Sequence, residues 1–201
     1  MASAATPYGL KPVRMMSGRP WNNAIEHFPI ASAYGANIYN GSIVSIVAGG
    51  TVEIVTTNGD NSTTFPAGTI GVFVGCSYTN SDGQFLQRNY WPTGTVSSDA
   101  VAYVITDPDV VFKAQADGAV TAVDLGQNTH LAAVQSTSTG STTTGNSTSA
   151  ITATTGTTAT WAFRIVGFAE IPGQSTVGDA YTDCFVQFNP GQHSYTNQTG
   201  I

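Results

Sequence analysis

The histidines of this chain are the first residues to test for chemistry, and their spacing matches no common catalytic or metal motif. His27, His130 and His193 lie far apart, and none has a second histidine, a cysteine or a carboxylate at the short spacings of HxxxH or CxxC. No G-x-S-x-G turn, phosphate-binding loop or dinucleotide fingerprint occurs. Each histidine is therefore expected to be structural or to lie at the surface.

The paired carboxylates are the second set of residues that could carry chemistry. Asp107 with Asp109, and Asp179 with Asp183, could contribute to a hard-cation site. A calcium loop, however, needs more closely spaced oxygen ligands and a bidentate carboxylate. We therefore predict no metal site, and no motif assigns a catalytic residue. A hydrolase acting on polysaccharide stays open as an alternative, because two distant acids can form a pair that spacing does not reveal.

The low and negative charge of the chain limits the kinds of partner that it can bind. The 201 residues include only 6 Lys+Arg against 12 Asp+Glu, and charged residues are 9% of the chain, against about 25% in an ordinary soluble domain. Six cations and a net charge of −6 cannot form the basic surface that phosphate backbones require. Apolar runs are only a few residues long, too short to cross a bilayer. We expect neither nucleic acid nor a membrane as partner, and a surface of Ser, Thr, Asn and Gly that works by packing.

The elements that position these side chains are predicted to be strands. Short runs rich in β-branched and aromatic residues alternate with turn signals about every ten residues, and no long window shows a helical period. This pattern predicts an all-β fold, a β-sandwich or jelly-roll-like body over residues 25–201. Gly49-Gly50 predicts a two-residue hairpin turn, and a single helical turn is expected near Ala122 to Asn128. The predicted strands are 42–48, 51–57, 69–78, 84–91, 100–106, 110–116, 119–123, 160–170 and 181–188.

The run 69–78 carries the most detailed expectations. Gly71 and Gly75 alternate with the apolar residues and predict a bend or the close approach of another backbone. Cys76 in this run and Cys184 in the last predicted strand are interpreted as small buried apolar residues, not as a disulfide or a redox pair. One buried face of this run is predicted, made of Ile70, Val72, Val74 and Cys76.

Residues 1–24 form the predicted N-terminal arm. Their prolines and glycines prevent a regular helix, and half of the positive charges of the chain lie here. A frayed terminus is one interpretation. An anchoring arm is the other, because a disordered tail seldom carries so many large apolar side chains. Such an arm would leave the body folded when residues 1–21 are deleted. The candidate binding residues are Tyr8, Leu10, Val13 and Trp21 as apolar anchors, and Lys11, Arg14 and Arg19 as partners for acidic groups.

Residues 136–160 form a Ser/Thr-rich segment. Of these 25 residues 17 are Ser or Thr, and none is charged. One interpretation is a flexible surface loop. The other is an irregular segment that lies against the sheet or against a neighbouring copy, with its hydroxyl groups paired to the backbone. Ile151 and the β-propensity of threonine support the second.

Several stretches of this chain resemble the head decoration (cement) proteins of tailed bacteriophages, especially of podovirus-like and marine phages. The similarity touches most of the chain and consists of packing motifs. The stretches that resemble the family are Ala5–Arg14, Ser17–Asn22, Ala100–Gly118, Thr139–Ser147, Phe163–Gly167 and Phe188–His193.

The resemblance implies a β-sandwich or jelly-roll body that assembles as a homotrimer on the outer surface of the capsid. There it would clamp neighbouring major capsid subunits against internal pressure, with residues 1–24 as the capsid-binding arm and without catalysis or cofactor. The protein would be found in the virion. A trimeric tail-spike or receptor-binding β-domain is the main alternative, and a glycan-binding cluster of Tyr90, Trp91 and Trp161 would favour it. The capsid shell protein itself is a weaker option, since the sequence predicts no long helix.

Overall fold

The computed structural model describes residues 4–56, 64–172 and 174–200, and this part of the chain is almost entirely β. It confirms the predicted all-β class. Two single turns of 3₁₀ helix occur, at Ala122–Asp124 and Ser194–Thr196, and no helix of the described residues is long and apolar enough to cross a membrane. The strands are β1 Lys11–Met15, β2 Glu26–Pro29, β3 Ile38–Tyr39, β4 Ile43–Ile46, β5 Val52–Ile54, β6 Thr69–Thr79, β7 Phe85–Arg88, β8 Tyr90–Trp91, β9 Val101–Ile105, β10 Val110–Gln115, β11 Asn128–Thr129, β12 Phe163–Phe168 and β13 Asp183–Phe188.

The strands form two antiparallel sheets and one small ribbon. The first sheet has the order β1-β10-β13-β12-β11. The second has the order β2-β9-β6-β4-β5, with β7 also paired to β6. The ribbon consists of β3 and β8. The predicted strand at 119–123 is wrong, because the chain there enters the 3₁₀ turn at Ala122, and residue 57, the end of the predicted run 51–57, lies outside the described residues.

The main core lies between the two sheets. Phe112, Phe163 and Phe188 project from the first sheet, and their rings pack edge-on or tilted at 5.0 to 5.9 Å between centroids. Ile43 and Ile105 of the second sheet belong to the same cluster. Burying one apolar face of each sheet against the other is the arrangement that defines a β-sandwich.

A second core covers the opposite face of the second sheet. Trp91 of the ribbon is fully buried there and packs edge-on against Tyr78 of β6, with ring centroids 5.3 Å apart. Strand β6 is thus buried on both faces. The predicted single face is therefore wrong, since Ile70 and Cys76 belong to the second core, whereas Val72 and Val74 pack in the main core.

The physical reason is a pair of irregularities in the pairing of β6. The register shifts opposite Val44 and Ser45 of β4, and again between Phe73 and Gly75 against β9. An extra residue in a ladder changes the face to which the following side chains point, so alternation along the sequence does not continue through the strand.

The β4–β5 hairpin differs from the expected two-residue turn. The backbone N–H of Val47 donates to the carbonyl of Thr51, and that of Gly50 donates to the carbonyl of Val47. The loop therefore contains three residues, 48–50, with Gly50 at φ +74°. A type I turn followed by a left-handed glycine is the usual geometry for this loop length.

The Ser/Thr-rich segment lies against its own chain. Ile151 is fully buried in the main core, and its N–H donates to the carbonyl of Gln115. The backbone N–H of Ser147 donates to the carbonyl of Asn40. The structure thus supports the interpretation of an irregular packed segment over that of a free loop, because backbone carbonyls at the ends of β3 and β10 accept hydrogen bonds from its backbone.

Both cysteines are confirmed as buried free thiols. Cys184 belongs to the main core and Cys76 to the second core, so that the second sheet separates the two residues. Burial raises the pKa of each thiol to about 12. Since only the thiolate reacts, the native protein is expected to leave an aromatic disulfide reagent unreacted at neutral pH, whereas both thiols react in denaturant. Rapid labelling of the folded protein would contradict this expectation.

Candidate interaction surface

The N-terminal segment is extended, as expected, but it lies along the body instead of projecting from it. Strand β1 pairs with β10 as the edge strand of the first sheet. The N–H of Thr6 donates to Oε1 of Gln115 at 2.8 Å, and Nε2 of Gln115 donates to the carbonyl of Ala4 at 3.1 Å. An unpaired β10 edge would offer free backbone groups, and residues 11–15 satisfy them. Residues 1–3 of the predicted arm lie outside the described residues.

Leu10 is part of the core of its own chain. Its side chain is 1% exposed and belongs to the main core. The backbone before it passes closely between two segments: the N–H of Gly9 donates to the carbonyl of Ser149, and the N–H of Leu10 donates to the carbonyl of Gly41. A Cβ on Gly9 would lie 2.6 Å from that Gly41 oxygen. In this conformation Leu10 is not an exposed anchor, which corrects the role expected of it.

Tyr8 holds the segment against the outer face of the first sheet. Its hydroxyl donates to Oδ1 of Asp183 at 2.9 Å, and its ring centroid lies 5.2 Å from Nζ of Lys113. Lys113 and Asp183 form an ion pair at 3.1 Å. Burial and the nearby Asp183 charge both raise the pKa of Tyr8, so the phenol stays protonated and keeps donating this hydrogen bond.

Lys11 also turns toward its own chain. Its Nζ lies 2.5 Å from Oδ1 of Asn40 and 3.0 Å from Oδ1 of Asn146. Burial lowers the pKa of this lysine. The ammonium group is therefore satisfied by two amide oxygens inside the protein, and it is not free to meet an acidic partner in this conformation.

Four residues of the segment form what we name the β1 rim: Val13, Arg14, Met16 and Arg19. Val13, Met16 and Arg19 are exposed, whereas Arg14 is half-buried and its guanidinium group donates to the carbonyl of Met15. Val13 is 41% exposed and Met16 is 48% exposed. The backbone N–H of Met15 donates to the carbonyl of Arg19, which folds the chain into a tight turn beyond β1. Two cations and two apolar side chains are thus presented together at one edge of the first sheet.

Trp21, the last predicted anchor, is half-buried against the main core. Beside the rim, residues that the sequence reasoning missed line an open groove of about 400 Å³. Ile25 and Tyr195 are exposed members of this lining, which also includes Pro108 of the β9–β10 turn and the carboxylates of Glu26 and Asp107. Met16 N–H donates to the carbonyl of residue 109 in the same turn, which connects the groove to the β1 rim. No local pattern singles out Tyr195, since its place depends on the packing of the C-terminal segment.

The three histidines lie apart and have structural contacts. His27 packs against Tyr103 at 4.9 Å and His130 packs against Trp161 at 4.9 Å between ring centroids. His193 accepts a hydrogen bond from the backbone two residues further on, and burial lowers its pKa. In the part of the chain that the structure describes, no three His, Cys, Asp or Glu residues converge on a point where they could hold a metal ion.

The aromatic cluster that would favour glycan binding is not assembled as expected. Trp91 is fully buried against Tyr78, so neither face of its ring is available to a sugar. Tyr90 stacks on Tyr39 instead, and Trp161 lies against a histidine elsewhere. An open groove of about 490 Å³ does run beside Tyr90, lined also by Leu86, Arg88, Pro92 and Val96.

No family model, curated protein or solved structure matches this chain. Its class is therefore defined by its own architecture. It is an all-β sandwich with two cores.

Proposed function

We propose that this protein is a capsid decoration protein, which binds the outer surface of a phage head as a homotrimer and clamps neighbouring major capsid subunits. The observation that carries the proposal is the β1 rim, which combines Arg14 and Arg19 with the exposed Val13 and Met16. The resemblance of the N-terminal, central and C-terminal stretches to cement proteins supports the same assignment.

The chemistry of the rim fits a protein partner. Arginine and large apolar side chains contribute most of the binding energy in protein interfaces. The chain has a net charge of −6, yet the rim itself is cationic, so it would suit an acidic strip on the capsid surface. The adjoining groove would extend the contact through its apolar Ile25 and Tyr195, whereas its Glu26 and Asp107 would have to face uncharged or basic groups of the partner.

If the protein assembles as a trimer, a weak contact at each single site would be sufficient for stable binding to the capsid. Linking three copies raises the effective concentration of the remaining sites, and avidity can exceed single-site affinity by roughly 10²–10⁴-fold. The low surface charge is compatible with such a role. A protein free in solution usually depends on charge to stay soluble, whereas one held in a lattice of contacts depends on it less.

A trimeric tail-spike or receptor-binding domain is the second candidate, and the groove beside Tyr90 is the observation that favours it. This groove combines an aromatic ring, the guanidinium group of Arg88 and the apolar Val96. Binding sites for small ligands usually combine apolar walls with a few polar groups in this way. The two candidates therefore use different surfaces of the molecule.

The deciding experiment compares charge reversals on the two surfaces. The protein's mass in solution is measured first, and the protein is then sedimented with emptied phage heads. We expect a trimer that co-sediments, with binding weakened about thirtyfold or more by Arg14→Glu with Arg19→Glu, because a hot-spot arginine contributes about 2 kcal/mol. Arg88→Glu is the matched control and should bind heads normally.

Two results would overturn the proposal. One is a monomer that does not co-sediment with phage heads. The other is a trimer that adheres to host cells and loses that adhesion with Arg88→Glu, which would establish the receptor-binding alternative.

A further inference from the structure

The C-terminal segment, residues 189–197, packs against the main core through a buried histidine. The His193 ring is 1% exposed and lies edge-on against Phe188 of that core, with ring centroids 5.5 Å apart. Oε1 of Gln192 accepts a hydrogen bond from the backbone N–H of Phe65 at 2.9 Å, beside the same core. The position of His193 therefore couples the state of its ring to the docking of this segment.

The hydrogen bonds of His193 determine where its neutral ring carries the proton. Nδ1 accepts from the backbone N–H of Tyr195 at 3.2 Å, and a ring nitrogen that accepts carries no proton, so the proton is on Nε2. Nε2 is buried beside the backbone of Ile70, and no described residue makes a hydrogen bond of ordinary geometry with it. A second proton must therefore go to Nδ1, the nitrogen that holds Tyr195.

Protonation of Nδ1 is incompatible with this arrangement. His193 is the N-cap of the 3₁₀ turn Ser194–Thr196, and its Nδ1 is the acceptor of the cap. A protonated Nδ1 is a donor, so two N–H groups would face each other and the cap would be lost. The charged ring would in addition be buried against an aromatic side chain, with Nε2 still unpaired, which is unfavourable for an ion.

The groups around the ring do not offset this cost. Among the described residues, Asp107 of the β9–β10 turn is the carboxylate that acts on the ring, β6 contributes the backbone of Ile70, and the β13 side chain in contact is a phenylalanine. Glu26 of β2 accepts from the hydroxyl of Tyr195 at 3.2 Å. Burial lowers the pKa of His193 in spite of the opposite effects of Ile70 and Asp107. Burial and Glu26 raise the pKa of Tyr195, so this phenol stays protonated.

We propose that His193 is a pH-dependent switch, whose protonation at mildly acidic pH releases residues 189–197 from the main core. The released histidine has the ordinary pKa of about 6.5, whereas the docked ring binds a proton more weakly. Docking is therefore fully favoured above about pH 6.5 and is weakened as the pH falls below that value. Since Tyr195 lines the groove beside the β1 rim, release would also take this groove apart. The switch itself does not depend on the proposed function.

Hydrogen exchange of the full-length protein at pH 7.5 and at pH 5.0, corrected for intrinsic exchange rates, tests the proposal. The informative amides have their acceptors in the segment: Phe65, Tyr195 and Thr196. We expect their protection at pH 5.0 to fall by about threefold or more, with a limit of about thirtyfold set by the ordinary histidine pKa. Amides of the β10–β13 ladder should keep their protection. The His193 ring, followed by NMR, should titrate with the same midpoint.

Two variants provide the controls. His193→Asn keeps an acceptor at the N-cap position but does not titrate, so the loss of protection at acidic pH should disappear. His27→Asn replaces an exposed histidine and should keep the loss. Unchanged protection in the unmodified protein overturns the switch, as does an equal loss in His193→Asn or a loss shared by the β10–β13 ladder. Should His193→Asn fail to fold, different midpoints for the ring and for the protection would overturn it equally.

Discussion

Replacement of Leu10 by alanine is expected to lower the free energy of unfolding by about 2–5 kcal/mol. The side chain is 1% exposed and packs in the main core between the two sheets. Its removal leaves a cavity that the neighbouring backbone cannot close, because hydrogen bonds to Gly41 and Ser149 hold residues 9 and 10 in place. Urea unfolding followed by fluorescence or circular dichroism measures the change.

Val13→Ala is the matched control, because this residue is in the same strand but is 41% exposed. Its effect should stay within about 0.5 kcal/mol, as for most surface substitutions. Equal stabilities of the two variants would show that the N-terminal segment does not dock as described. Val13→Ala should instead act on head binding, if the proposed function holds.

The same packing changes what deletion of residues 1–21 is expected to do. From the sequence, the body was expected to fold without them. The structure places Leu10 in the main core and β1 at the edge of the first sheet, so the deletion would remove core volume and expose the β10 edge. Substitutions on the β1 rim therefore test binding more cleanly than truncation does.

Gly71→Ala is expected to lower the free energy of unfolding by about 3 kcal/mol or more and to reduce the yield of folded protein. A Cβ at this position would lie 1.9 Å from the backbone carbonyl oxygen of Ile105, and the residue has φ +136°. A clash with backbone cannot be relieved by a side-chain rotation, and this backbone region is strained for any residue with a Cβ. Strand β6 would have to separate from β9, its partner in the second sheet.

Gly35→Ala provides the comparison, because a Cβ there meets no atom within 4 Å and the backbone has no positive φ. It should express and unfold like the unmodified protein. Soluble yield and the urea midpoint of both variants give the measurement. A Gly71→Ala protein as stable as Gly35→Ala would contradict the close approach of β6 and β9.

Much of the fold could be predicted from local patterns. Runs of β-branched residues between turn signals indicated the all-β class, and the sheets confirm it. The glycines of β6 indicated a close backbone approach, which Gly71 confirms, and the burial of Cys76 and Cys184 followed from the runs that contain them. These features depend on residues that are close together in the sequence, so local sequence patterns are enough to predict them.

The candidate surface could be predicted only in part. Val13, Arg14 and Arg19 were singled out as binding candidates; Val13 and Arg19 are exposed, and Arg14 is half-buried beside them. Leu10 and Lys11 were singled out for the same reason, but both turn inward. Residue type indicates neither which sheet edge the segment pairs with nor which amide oxygens lie next to the lysine. Their roles at an interface stay predictions.

What the sequence alone determined is the class of fold, the weak charge and the composition of the segment that carries half the cations. The tertiary structure decided which face of β6 meets which core, where the Ser/Thr-rich segment lies, and which side chains surround Lys11. The physical reason is that alternation specifies a side of a strand only until the next bulge. Contacts between residues as distant as Lys11 and Asn146 arise when sheets pack, and no short stretch of sequence encodes that packing by itself.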